Sequence, residues 1–342
     1  LYYVLIEAEK AIRRETLSHR RPVFKGVAPR PEPSNRPAGA VSSEKDAPVP
    51  AIVIAALAVL VALASLYLRW RLFFGRAPAR AASALCYHKI TPRFCLEGTW
   101  TTPRRFAGHV DHLLEKGYRF VSEDEFYAAL SDPAGDHAKE ILLTFDDGYE
   151  EIHDVYFECL VPRKIPVLVF VVSGYAGKTN DWDLALGRRP FRHLSWDQVS
   201  RMAEAGARFG SHGERHLDLT RVPPETLRRE IAGSRAAIAG RAGLEVRSFS
   251  YPYGRYDARA KAAVETAGYS GAFSLYPRHA NARVDRWALR RSGVYVIDAR
   301  RNLDWKLADG PFSWFEEMKC RTINSVAVLA PILKRPSPDP GR

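Results

Sequence analysis

Short apolar runs alternate with amphipathic stretches through the middle of this chain. Ile141 to Phe145, Val167 to Val172, Ala207 to Ser211 and Ser270 to Leu275 have the compact apolar character of buried strands. Between them, Arg105 to Lys116, Trp196 to Ala205, Glu225 to Ile238 and Ala258 to Ala267 repeat apolar residues at helical spacing, and Pro223-Pro224 suits a helix start. Strands alternating with helices predict a parallel sheet or α/β barrel, in which functional residues collect at the carboxyl ends of strands. Residues 81–300 are therefore read as one α/β domain.

A different pattern precedes it. Val49 to Leu68 is twenty residues without a charge, dominated by Ala, Val, Leu and Ile. At about 1.5 Å of rise per residue such a helix covers the roughly 30 Å hydrocarbon core of a bilayer. The segment 49–68 is expected to be an N-terminal transmembrane helix, an uncleaved signal-anchor. Arg69, Arg71, Arg76 and Arg80 crowd its C-terminal flank and by themselves favour a cytoplasmic location there, opposed from farther away by Arg13, Arg14, Arg20, Arg21 and Lys25. Residues 1–48 mix Arg, Pro, Ser and Glu without a sustained apolar period and read as a flexible basic tail. Residues 301–342 read as a C-terminal extension, disordered from Lys334 onward.

Composition changes this picture little. The 342 residues are 46% hydrophobic and 26% charged, as in an ordinary globular protein. The formal net charge of +12 raises nucleic acid, an anionic membrane surface or an acidic polymer as a partner. Lys and Arg are nevertheless spread along the chain with no basic helix or aromatic-interleaved run, so a basic solvated surface is preferred and no nucleic acid is expected. Cys86, Cys95, Cys159 and Cys320 form no C-x-x-C pair and imply neither a structural metal site nor a disulfide framework, although Cys86 and Cys95 could bridge in an oxidising space. Cys86, within Ala84-Leu85-Cys86-Tyr87, is expected to be a buried free thiol.

Candidate chemistry sits at the ends of the apolar runs. Thr144-Phe145-Asp146-Asp147-Gly148-Tyr149 places adjacent carboxylates after a strand, where one can hold a cation and the other can take a proton from the water that the cation activates. His212-Gly213-Glu214-Arg215-His216 follows the next-but-one strand, and its spacing lets both imidazoles face one ion. Two neutral imidazoles and a carboxylate make a three-ligand catalytic metal site with a position left for water. Glu214 does not make this a zinc-protease motif, because Gly213 stands directly after the first histidine where H-E-x-x-H needs glutamate. Ser250-Tyr251-Pro252-Tyr253-Gly254 is a rigid turn that can present a backbone N–H, that of Tyr253, to a developing oxyanion. His109 and His112, on the 105–116 helix, are expected at the surface, and His153 and His193 as local hydrogen-bonding groups.

Taken together, these motifs resemble the polysaccharide deacetylase family, the NodB homology domain of carbohydrate esterase family 4, over residues 84–295. Tyr87-His88-Lys89-Ile90 and Leu194-Ser195-Trp196 are similar to the branch that deacetylates biofilm poly-N-acetylglucosamine. The resemblance implies a distorted (β/α) barrel. It implies zinc or a similar divalent metal held by Asp147, His212 and His216, and Asp146 as general base. It further implies an N-acetylated polysaccharide as substrate, hydrolysed at its N-acetyl groups by a catalytic domain outside the cytoplasmic membrane. Two departures stand out. Ser250 occupies the place, two residues before Pro252, where many members carry arginine, so Arg290 or Arg291 is expected to compensate. No histidine follows His279, so the late Leu-x-His that supplies the general acid elsewhere is missing, and His88 is the candidate for leaving-group protonation or substrate binding. The rival readings are an amidase acting on a small N-acyl compound and a catalytically weak metal- or glycan-binding domain.

Overall fold

The computed structural model describes residues 57–327 apart from 58, 69–80, 96–97, 133, 180–190, 276–284 and 309–311. The expected tail 1–48, the first part of the Val49 to Leu68 run and the chain end from Lys334 lie outside the described residues. Residues 59–68 are helical. Among the described residues no helix is long and apolar enough to cross a membrane.

In chain order the strands are β1 (Ser83–Tyr87), β2 (Lys89–Ile90), β3 (Trp100–Thr101), β4 (Arg119–Val121), β5 (Glu140–Phe145), β6 (Leu168–Val171), β7 (Arg208–Ser211), β8 (Ser248–Ser250), β9 (Gly271–Leu275) and β10 (Leu289–Gly293). Every ladder is parallel. β1 pairs with β10 on one side and with β5 on the other, which closes β5 to β10 and β1 into a seven-stranded barrel. The barrel is distorted where β5 begins: β4 pairs with its first half, up to Val121 opposite Leu142, and β6 takes over at Thr144 and Phe145. A parallel closed sheet has both faces covered, so its strands read as apolar runs and not as alternations.

Two cores result. Ala84, Leu142, Leu168, Phe170, Phe273 and Leu289 cluster in the barrel with Phe126 and Tyr127 of the helix Glu123–Leu130. Their strand neighbours Leu85, Leu143, Val169 and Phe249 belong to the larger cluster beneath the helices. The predicted helices form as Pro103–Glu115, Trp196–Glu204, Ala258–Thr266 and a longer unit that runs from Pro224–Arg228 through a π-helical turn into Ser234–Ala242. Thr102 caps the first, and Ser195 with Gln198 makes a capping box at the second. All four cysteines are free and Cys86 is fully buried, as expected.

One histidine assignment needs correction. His109 was expected at the surface but is buried, because it shares one helix face with Phe106, Val110 and Leu113. Its Nδ1 lies 3.1 Å from the Tyr87 hydroxyl. Burial lowers its imidazole to about 4. His112 is also partly covered, pairing with Asp304 at 2.9 Å.

Beyond the barrel, the helices Arg300–Leu307 and Ser313–Ala327 pack together, and the second also touches β10. Between them lies a buried ionic network in which Lys306 and Lys319 serve Asp298 and Glu316.

Candidate active site

The motif residues converge at the carboxyl ends of the strands. Asp146 and Asp147 follow β5, His212 and His216 follow β7, Tyr253 follows β8 and His88 follows β1. Backbone bonds continue the ladders just past the strand ends and fix the first residue of each motif: Asp146 N–H donates to the Tyr87 carbonyl and His212 N–H to that of Val171, both at 2.9 Å.

Among the described residues four non-glycine residues have left-handed backbone, and three of them are Asp147 (φ 67°), His216 (φ 58°) and Tyr253 (φ 60°). Such conformations are costly and persist where surrounding structure enforces them, so their concentration here marks a functional site. For Asp147 the enforcing group is His193, whose Nδ1–H donates to the Asp147 carbonyl at 2.8 Å while its ring stacks on Tyr149 at 5.0 Å. Gly148 follows at φ +65°, where a side chain would come within 2.9 Å of Val171 Cγ1. The histidine loop is held by Glu230, whose Oε2 accepts the N–H groups of Glu214 and Arg215, both at 2.9 Å. Asn324 donates to the Tyr253 carbonyl at 3.3 Å.

Asp147, His212 and His216 are all buried. Asp147 Oδ1 has no hydrogen-bond partner, yet it faces His212 Nε2 at 3.5 Å and His216 Nε2 at 3.4 Å. The His212 Nδ1–H donates to the Ser250 carbonyl at 2.7 Å, which leaves the Nε2 lone pair for this cluster. Burial lowers the His212 imidazole to about 4, so the ring is neutral. Atoms bound tetrahedrally at about 2.1 Å to one ion lie roughly 3.4 Å apart, so the donor spacing and the orphaned oxygen fit a divalent cation.

Asp146 has a different environment. Arg291 grips it with two bonds, Nη1 to Oδ1 at 2.6 Å and Nη2 to Oδ2 at 2.7 Å, and also donates to Ser250 Oγ at 2.7 Å and Thr144 Oγ1 at 3.1 Å. Burial by itself raises the Asp146 carboxyl, but the Arg291 guanidinium holds it well below the usual carboxylate range. Strand alternation explains why Arg291 fills this role and Arg290 does not. Leu289 points into the barrel, so Arg291 does too, while Arg290 emerges outside and meets Glu317 at 2.8 Å. Ser250, where arginine was missed, accepts from Arg291 and donates to Asp146 Oδ2 at 3.2 Å.

His88 is half-buried, and its Nδ1 lies 4.0 Å from Cys86 Sγ. Donor atoms of His88, Cys86 and Asp146 lie within 4.8 Å of one another, so His88 stands beside Asp146. Tyr253 sets its ring against His216, with centroids 4.6 Å apart. Every candidate residue is thus brought to one end of the barrel. His193 is the local hydrogen-bonding group expected from sequence, while the supporting role of Glu230, which lies in no motif, was not singled out.

A closed parallel barrel that gathers two carboxylates and two imidazoles at its strand ends is an arrangement suited to hydrolysis. Residues 134–272 match the polysaccharide deacetylase family model. The putative polysaccharide deacetylase YxkH of Bacillus subtilis (strain 168) is 26% identical over 210 residues, 61% of this chain and 70% of the relative. Among solved structures, IcaB from Ammonifex degensii is similar with a TM-score of 0.55 and 26% identity over 73% of this chain and 97% of that one. The Streptococcus pyogenes deacetylase PplD, solved with acetate, has a TM-score of 0.58 at 21% identity, over 67% and 98% of the two chains, a likeness of fold. The chain carries a polysaccharide deacetylase domain.

Proposed function

We propose that this domain hydrolyses N-acetyl groups of an amino-sugar polysaccharide with the help of one divalent cation, zinc being the expected metal, held by Asp147, His212 and His216. The observation that carries the reading is the orphaned, buried Asp147 Oδ1 facing two imidazole Nε2 atoms, next to a separately ionised Asp146. A cation bound there supplies Lewis-acid polarisation of the amide carbonyl and makes a nearby water more acidic. Asp146, kept deprotonated by Arg291, accepts the proton that water loses as it attacks the carbonyl. The Tyr253 N–H is assigned to the oxygen that gains charge. His88, half-buried beside Asp146, is assigned to protonate the leaving amine, because an amide nitrogen departs poorly without a proton. The products are acetate and a free amine on the sugar.

The polymeric substrate follows from the family, and the same source favours a domain outside the cytoplasmic membrane, tethered by Val49 to Leu68. The test is acetate release by the purified protein, with and without added zinc or cobalt, from chitin oligomers, a β-1,6-linked N-acetylglucosamine polymer and small N-acyl amines. Metal-stimulated release from a polymer supports the proposal. Release from small amines alone turns the reading into the amidase, and no release by metal-loaded protein turns it into a binding domain.

A further inference from the structure

The first turns of the helix Ser313–Ala327 bury charge and expose apolar side chains, although Cys320 further along is buried. Glu316 and Glu317 lie on its buried side, 1% and 3% exposed, engaged by Lys319, Arg321 and Arg290. Phe315 and Met318, on its outer side, are 55% and 36% exposed, and Phe312 just before it is 54% exposed. A helix facing water on that side has the opposite arrangement. The apolar surface continues onto neighbouring aromatics: Trp305 stacks on Phe312 at 5.0 Å and Trp314 meets Phe315 at 6.2 Å. Trp314 also packs against Tyr67, with ring centroids 6.0 Å apart.

Tyr67 is the link that identifies the occupant. It lies at the end of the uncharged run Val49 to Leu68, whose helical residues 59–68 expose Leu60, Val61, Leu63 and Leu66. The run is long enough for a bilayer. Tyrosine and tryptophan concentrate at the level of lipid headgroups, and Arg69, Arg71, Arg76 and Arg80, which follow in the sequence, suit anionic headgroups.

We infer that the face formed by Phe312, Phe315, Met318, Trp305 and Trp314 rests in the interfacial layer of the membrane that the apolar run enters. The domain is thereby held at the lipid surface in one orientation instead of swinging freely on a tether. This rests on the tether proposed above.

The test uses the full chain in vesicles of phosphatidylcholine and phosphatidylglycerol, with acyl chains brominated near the carbonyl end to quench nearby tryptophans. A Trp70→Phe background removes the tryptophan next to the run. The expected result is that tryptophan emission is still quenched in this background and that quenching is lost on adding Trp305→Phe and Trp314→Phe. A chain that floats with vesicles but shows no quenching in the Trp70→Phe background overturns the orientation while leaving the tether standing. A second copy seated on the face would shield the same residues and give that result. A chain that does not float with vesicles overturns tether and orientation together.

Discussion

Replacing Arg291 by methionine isolates what the guanidinium does for Asp146. The side chain is fully buried and its two bonds to the carboxylate, 2.6 and 2.7 Å, have the length of charge-assisted contacts. Without it, Asp146 is left in a dry site where burial raises its carboxyl unopposed by its main counter-charge. Breaking one side of a buried pair costs about 3–5 kcal/mol when the remaining group stays charged. The sign follows from the direction of the shift. In the wild type the depressed carboxyl contributes stability above its unfolded value of about 3.9, lost as pH falls through its folded value. In Arg291→Met that contribution disappears, and the acid limb of kcat/KM moves to higher pH. To the extent that Asp146 becomes protonated it cannot accept a proton, so kcat at neutral pH is expected to fall, at most by the factor of about 10²–10⁴ that a positioned general base contributes. Arg291→Lys retains the charge without the fork and is expected to fall between. The assay is kcat/KM against pH for metal-loaded proteins of verified metal content, alongside thermal unfolding. If Arg291→Met keeps the wild-type pH profile and rate with the same bound metal, Arg291 does not maintain the base.

His193→Phe keeps the ring against Tyr149 but removes the donor to the Asp147 carbonyl, and metal affinity is expected to drop about 10–100-fold in a chelator-competition titration; unchanged affinity would dismiss the clamp. Gly148→Ala forces a side chain into left-handed backbone and against Val171, so it is expected to cost about 1–3 kcal/mol in chemical unfolding, and a neutral effect would count against enforced strain at this turn. His109 is lowered by burial to about 4, against about 6.5 unfolded, so its contribution is complete above about pH 6.5 and lost progressively down to about pH 4. At about pH 5 that loss amounts to roughly 2 kcal/mol, so urea unfolding of His109→Gln should show a shallower decline between neutral pH and pH 5 than the wild type; parallel declines would contradict it.

The residues of the candidate site were more legible in the sequence than the groups that hold them in place. Asp146, Asp147, His212, His216 and Tyr253 were readable because each stands just after an apolar run, and a parallel barrel gathers strand ends at one rim. Closure of the ring through β1 against both β5 and β10 had no local signal, since it depends on pairing between distant segments. His109 is a different case: its place on the face of Phe106, Val110 and Leu113 was present in the spacing, but the polarity of histidine was given more weight than the period. The choice between Arg290 and Arg291 needed the barrel, because only knowing that Leu289 faces inward tells which neighbour reaches Asp146.

The candidate site holds its carboxylate with Arg291 although Ser250 stands where arginine was expected. A guanidinium can come from any strand whose inward residue rises to the level of the carboxylate, provided the vacated position is filled by a group that accepts its remaining N–H. Ser250 meets that condition, taking a bond from Arg291 while donating to Asp146. Arginine at position 250 would instead place a second cation where Arg291 already sits, at full burial, with one carboxylate to share. Serine at 250 and arginine at 291 are therefore one solution made of two residues. A double-mutant cycle of Ser250→Ala and Arg291→Lys is expected to give a coupling of about 0.5–3 kcal/mol in transition-state stabilisation, where independent sites would give additivity.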